Sequence, residues 1–168
     1  NADGSRDSAF GLSGTASANL GTSDNAYAIA VDGAGNIVVA GSSDNRFAIA
    51  RFDSNGILDA SFNGTGTRSI DWGGVEHAYD IAIQEDGKLG LAGKSDNSIG
   101  LIRLNNDGSL DAAFGTGSEG VAQHRIDIGA GGDIARSIAL AANGDIVLFG
   151  TSAGGNDAAM VQVNSDGT

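Results

Sequence analysis

The sequence predicts an all-β fold in which one unit is repeated three times. Three observations predict it: an internal repeat of fixed period, a two-residue alternation of side-chain size, and glycine-bearing polar turns in a 168-residue chain with 28 Gly and no Pro. Residues 26–31 and 35–41 return as 78–83 and 87–93, displaced by 52 residues. A third copy, 135–140 and 144–150, is displaced by 57, with the extra length in a loop around 119–123. A closing motif recurs in phase. It reads Asn1-Ala-Asp-Gly-Ser-Arg-Asp7, then Asp53-Ser-Asn-Gly-Ile-Leu-Asp59, Asn105-Asn-Asp-Gly-Ser-Leu-Asp111 and Asn164-Ser-Asp-Gly-Thr168. Phe10, Phe62 and Phe114 follow it at equal spacing.

Each element follows from this pattern. Each set opens on a weaker strand, at about 15–20, 67–72 and 124–128, placed ahead of the others. The second strand, 26–31, alternates Ala26, Ala28 and Ala30 with Tyr27, Ile29 and Val31, so small and large residues take opposite faces. Its copies are 78–83 and 135–140. The third strand, 37–40, 89–92 or 146–149, is apolar throughout, and such a strand is covered on both faces. Gly35, Gly87 and Gly144 mark the hairpin before it. The last strand is 47–52, 99–104 or 158–163. Four strands per unit, buried on both faces, with a large face meeting a small one, describe the stacked blades of a β-propeller. The expectation is one repeat domain of three four-stranded antiparallel blades, at about 12–63, 64–115 and 116–168, with 1–11 the tail of a preceding repeat motif. Propellers close with about four to eight blades, so three leave both outer faces seeking further blades or a second chain.

Composition narrows the function. Nine Lys and Arg against 21 Asp and Glu give a formal charge of −12, and such a surface has no grip on nucleic acid or an anionic membrane. Cysteine is absent, so neither disulfides nor thiolates contribute. No apolar run reaches membrane-spanning length and no signal peptide leads the sequence, as expected of a mature or excised piece.

The stretches Glu85-Asp-Gly-Lys-Leu-Gly-Leu-Ala-Gly93 and Ile99-Gly-Leu-Ile-Arg-Leu-Asn-Asn-Asp-Gly-Ser-Leu-Asp-Ala-Ala-Phe-Gly115 resemble the bacterial delta-60 repeat, with its DGKIVVAG core and NxDGSLDxxFG closing motif. The resemblance spans nearly the whole chain in three copies. It departs where the family often carries Pro ahead of the DGK turn, a place held here by Glu85, by Gly33 or Ala34, and by Ala142. What it implies is a propeller-like repeat of large secreted or surface bacterial proteins, without catalytic residues to carry over.

Candidate chemistry is sparse. Asp53, Asn55 and Asp59, and again Asn105, Asp107 and Asp111, gather side-chain oxygens around a Gly turn, as a hard cation such as calcium requires. The same residues suit Asx turns, and the bidentate Glu of a helix-loop-helix calcium site is missing. Gly115 to Gly120 matches a dinucleotide motif by letter but leads into a strand, and 129–132 reads as a flexible connection. His77 and His124 have no third imidazole and read as surface residues. Arg51 and Arg103 recur in the last strand and suit an ion pair with Asp71 or Asp127, or a ring of anion-binding cations. Trp72 could stack on a sugar or simply pack. Asn63 sits in a glycosylation sequon yet aligns with Gly11 and Gly115, which points to a positive φ.

The expected function is a non-catalytic extracellular or cell-surface bacterial repeat module for adhesion or recognition and self-assembly. Its partners would be its own exposed blade faces, a longer chain's further blades, a glycan or a surface protein. The alternatives are a structural subunit of an oligomeric ring or filament and a metal-assisted hydrolase with its site in a propeller channel.

Overall fold

A computed structural model describes residues 1–115, 123–129, 131–152, 154 and 156–168. The dinucleotide-like run from Thr116 onward and part of the 129–132 connection lie outside them. Eleven strands are formed among the described residues and no α-helix. They are β1 (Asp24–Val31), β2 (Ile37–Ser43), β3 (Arg46–Phe52), β4 (Thr67–Ile70), β5 (Glu76–Ile83), β6 (Leu89–Ser95), β7 (Ser98–Leu104), β8 (Gln123–Ile126), β9 (Ile134–Leu140), β10 (Ile146–Ser152) and β11 (Asp157–Val163). Their sheets are β1-β2-β3-β4, β5-β6-β7-β8 and β9-β10-β11, with antiparallel neighbours throughout.

Two expectations are corrected. The weaker strand closes a sheet and does not open one: β4 pairs with β3 and β8 with β7, so the sheets span 24–70 and 76–126, and the blade boundaries at 63 and 115 move outward. The reason is geometric, since a short loop after the closing motif turns the chain back along the edge it has just left. Residues 16–20 accordingly form no strand, and the third sheet has three strands among the described residues.

The sheets stack face to face. Val38, Ala40, Phe47, Ile49, Phe62 and Ile70 of the first meet Ala78, Ile81, Leu89, Leu91, Ile102 and Leu104 of the second in one apolar core. Ala92, Ile99, Leu101 and Phe114 of the second meet Ala135, Ile138, Ile146, Leu148 and Val163 of the third in another. Alternate residues of β7 therefore serve opposite cores, which explains an apolar strand with no polar face. The inner strands lie side by side, β1 beside β5 and β5 beside β9.

Backbone bonds fasten the sheets at both ends. At one end the residue after each closing Phe donates its N–H to the next repeat's turn: Gly11 to the Asn55 carbonyl (2.7 Å), Asn63 to Asp107 (2.7 Å) and Gly115 to Asp166 (2.8 Å). At the other, Glu76 and Asp133 at the heads of the inner strands donate to the Asn45 and Asn97 carbonyls of the preceding β2–β3 and β6–β7 hairpins, at 2.8 and 2.9 Å. The closing Phe completes the first fastening. A Cβ on Gly108 (φ +83°) would stand 2.9 Å from the Phe62 ring, so only glycine lets the ring lie on the turn. Phe10 on Gly56 and Phe114 on Gly167 repeat the arrangement.

Phe62→Ala, at a fully buried position, is expected to lower unfolding free energy by about 3–5 kcal/mol in a denaturant titration. Glu76 is fully buried, and desolvation pushes its carboxyl above the usual range. A raised folded value means the group favours folding below its unfolded value, about 4.3, and ceases to do so as pH rises through the folded value. Glu76→Gln should therefore raise the melting midpoint at pH 7 and give no gain at pH 4.

Candidate functional site

The inner strands share an irregularity that the size alternation does not announce. In β1, Ala26 pairs with Gly41 and Ala28 with Ala40, leaving Tyr27 as the extra residue of a β-bulge. In β5, Ala78 pairs with Gly93 and Asp80 with Ala92, leaving Tyr79. In β9, Ala135 pairs with Gly150 and Ser137 with Phe149, leaving Arg136. The glycines opposite are required: a Cβ on Gly41, Gly93 or Gly150 would lie within 2 Å of the Asn25, His77 or Ile134 carbonyl oxygen, at 1.8, 1.8 and 1.9 Å. A bulge re-aims its extra side chain, and three in phase aim three side chains at the same place.

They meet there. The Tyr27 and Tyr79 rings lie 5.3 Å apart and the Arg136 guanidinium stands 4.8 Å over Tyr79. His77 stacks on Tyr79 at 5.8 Å with 17° between planes and meets Tyr27 edge-on at 6.0 Å. Burial and the nearby Lys94 ammonium hold the His77 imidazole below its usual range, so it is neutral at physiological pH. Arg136 and Tyr27 are exposed, the latter at 45%. Next in sequence, Asp80 ties the row to the third sheet, accepting from the Ser137 hydroxyl (2.9 Å) and the Ile138 N–H (3.0 Å). The result is a cation and an aromatic platform on a rigid base, able to stack on a flat or CH-rich surface while offering guanidinium donors.

The residues singled out from sequence lie elsewhere. Arg51 and Arg103 are each 5% exposed and serve the fastening between sheets. Arg51 donates to Asp59 (Nε–Oδ2, 2.8 Å), to Ser61 Oγ and to both oxygens of Asn106 in the next repeat, with its guanidinium 4.9 Å over the Phe62 ring. Arg103 pairs with Asp111 at 2.7 Å, donates to the Ser165 carbonyl and lies 4.1 Å over Phe114. Their partners are thus Asp59 and Asp111, eight residues on, and not Asp71 or Asp127. Asp71 pairs with Arg46. No guanidinium face is left for a ligand.

The turn oxygens are spent in the same way. Asp53 Oδ1 accepts from the Asn55 and Ile57 N–H groups, Asp107 Oδ1 from Ser109, and Asp59 and Asp111 Oδ1 from Ser61 and Ala113. Asn105 donates to Ser109 Oγ and Asn55 to Asp53. In each turn the Oδ1 atoms serve the backbone, and no group of three His, Cys, Asp or Glu among the described residues could hold a metal ion.

Trp72 packs against the first core with Phe47 at 6.3 Å, and Arg125 covers it at 4.9 Å while donating to its carbonyl, which leaves no open indole face. His77 and His124 are half-buried and not surface residues. His124 sits edge-on to Phe114 at 5.2 Å. Asn63 holds φ 53°, as its alignment with glycines requires. The aromatic residues do not announce this row in the sequence; its sign is the glycine recurring opposite the bulge, at 41, 93 and 150.

Residues 35–62 and 84–114 match the family model of a β-propeller domain of unknown function, DUF5122. Both segments run from the inner hairpin to the closing Phe, in the first and second copies respectively. This supports a β-propeller repeat. No curated protein matches the chain.

Arg103→Ala leaves the buried Asp111 carboxylate with only the Lys88 ammonium, 3.8 Å away, and should cost about 3 kcal/mol in unfolding free energy, whereas Arg103→Met with Asp111→Leu should be near neutral. Hydrogen bonds from turn N–H and hydroxyl groups hold Asp53, Asp59, Asp107 and Asp166 below the usual carboxylate range. Depressed folded values stabilise above the unfolded value, about 3.9, and that stability is lost as pH falls through them. Melting midpoints should hold from pH 5 to 8 and fall below about pH 4. Millimolar calcium should leave the midpoint at pH 7 unchanged; a rise of several degrees would reinstate the turns as ligands.

Proposed function

We propose that this chain is a non-catalytic recognition module of a bacterial cell-surface or secreted protein, built of delta-60-type repeats, and that its row of bulged residues binds a neutral glycan. The observation that carries this reading is the same bulge in each inner strand, which gathers Tyr27, Tyr79 and Arg136 on one exposed edge. Tyr27 offers an open ring for the CH face of a sugar, and Arg136 offers donors to ring hydroxyls. The formal charge of −12 disfavours an anionic ligand at long range. Non-polar stacking from rigid strands suits a surface reader that holds many weak contacts.

A second reading is self-association, favoured by the bare outer faces. Ile29 and Val31 stand 69% and 64% exposed on the first sheet, where their counterparts Ile81 and Ile83 pack against a neighbour. Phe149 and Met160 stand 54% and 73% exposed on the third, where their counterparts Ala92 and Leu101 are buried.

Titration of a panel of hexose and N-acetylhexosamine oligosaccharides, followed by tyrosine ring resonances, should shift Tyr27 and Tyr79 with millimolar affinity. Tyr27→Ala should weaken binding about tenfold, the loss of one stacking contact of about 1.4 kcal/mol. No shift at any ring up to the solubility limit would sink the glycan reading.

A further inference from the structure

The third sheet ends at β11 with one edge unpaired among the described residues, and an unpaired strand edge is a template for another strand. Residues 15–18 show the opposite deficit. They stand one repeat before β4, and they are anchored as β4 is: Gly11 N–H bonds to Asn55 on one side, and the Thr22 N–H and hydroxyl bond to Asp44 on the other. The segment lies against the outer face of the first sheet, where Ala48, Ala50 and Phe52 are buried, and among the described residues it pairs with no strand.

We infer that residues 15–18 of one copy add to β11 of a second copy, joining chains head to tail. The proposal rests on the self-association reading and names its surfaces. The register follows from the two junctions already within the chain. Phe47, Ala48, Ile49 and Ala50 pair with Ile70, Ser69, Arg68 and Thr67, and Ile99, Gly100, Leu101 and Ile102 pair with Ile126, Arg125, His124 and Gln123. The same positions on β11 and on the segment give Ala158–Ala18, Ala159–Ser17, Met160–Ala16 and Val161–Thr15. The chain's own second sheet stands between these two surfaces, so the segment and β11 of one copy cannot pair with each other.

The faces agree with this placement. Between the segment and the first sheet lies a groove of about 360 Å³, lined by Val39, Ala48, Ala50 and Phe52. Their counterparts one repeat on are Leu91, Gly100, Ile102 and Leu104, all buried, and Phe47 rests on Gly100, where an added Cβ would meet its ring at 2.7 Å. On the third sheet the counterpart of Phe47 is Ala158, and the bulk stands instead at Phe149, where the earlier copies have Ala40 and Ala92. Phe149 and Met160 are the knobs for the groove. Asn1 to Ser5, exposed throughout, repeats the turn that 164–168 already forms on β11, and it swings clear when the chains join.

The chain has no cysteine, which permits a clean test. Ser17→Cys in one preparation is mixed with Ala159→Cys in another under mild oxidant, with Ala18→Cys and Ala158→Cys as the adjacent pair. One of these mixtures should give a covalent heterodimer in high yield, and Ser17→Cys with Val163→Cys should not. Light scattering of the unmodified chain should show association that strengthens from 50 to 500 mM salt, as copies of charge −12 require. Phe149→Asp with Met160→Lys, at exposed sites, should melt cooperatively as before and be monomeric. Monomers at every concentration would overturn both the register and self-association. Association without the heterodimer would overturn the register alone.

Discussion

The structure depends on one contact: the closing Phe of one repeat laid on the glycine turn of the next, with an Arg above the ring and an Asp beside the Arg at Phe62 and Phe114. The ring needs a neighbour without a Cβ, the turn needs a residue at positive φ, and glycine meets both demands at Gly56, Gly108 and Gly167. Arg51 and Arg103 each hold a carboxylate of their own repeat and a carbonyl of the next, so the charge is neutralised inside the junction it secures. Sheets so joined keep their inner strands aligned, and that alignment brings the three bulges into a single row.

Much of the fold is legible in the sequence because repetition supplies its own control. A position that carries Gly in every copy, as 41, 93 and 150 do, cannot be an accident of one turn. The hairpins, the doubly covered strands and the stacking of a large face on a small one follow from periodicity and size. Strand order does not, because residues 67–70 have the same composition whether they open a sheet or close one. Only the hydrogen bonds to β3 decide.

The site was legible in part. The Asn-x-Asp-Gly motif looks like ligand chemistry because turn-forming and cation-binding carboxylates share a short arm and a neighbouring glycine. What separates them is which oxygens remain free, and backbone N–H groups take those of Asp53 and Asp107. Arg51 and Arg103 were correctly read as recurring, but a bond from Arg51 to Asn106, 55 residues away, has no trace in local spacing. Tyr27 and Tyr79 fit a strand face by alternation, and the register shift that lifts them out of it is written on the opposite strand.

The last repeat carries Gln162 where the others carry Arg51 and Arg103, and Gln162 donates to Asp145, a partner in its own sheet, at 2.7 Å. Nothing at that position reaches forward. In a stacked array each interface sets its own local cooperativity, so the junctions that Arg51 and Arg103 secure open as separate units, and an end sheet can detach while the other two stay joined.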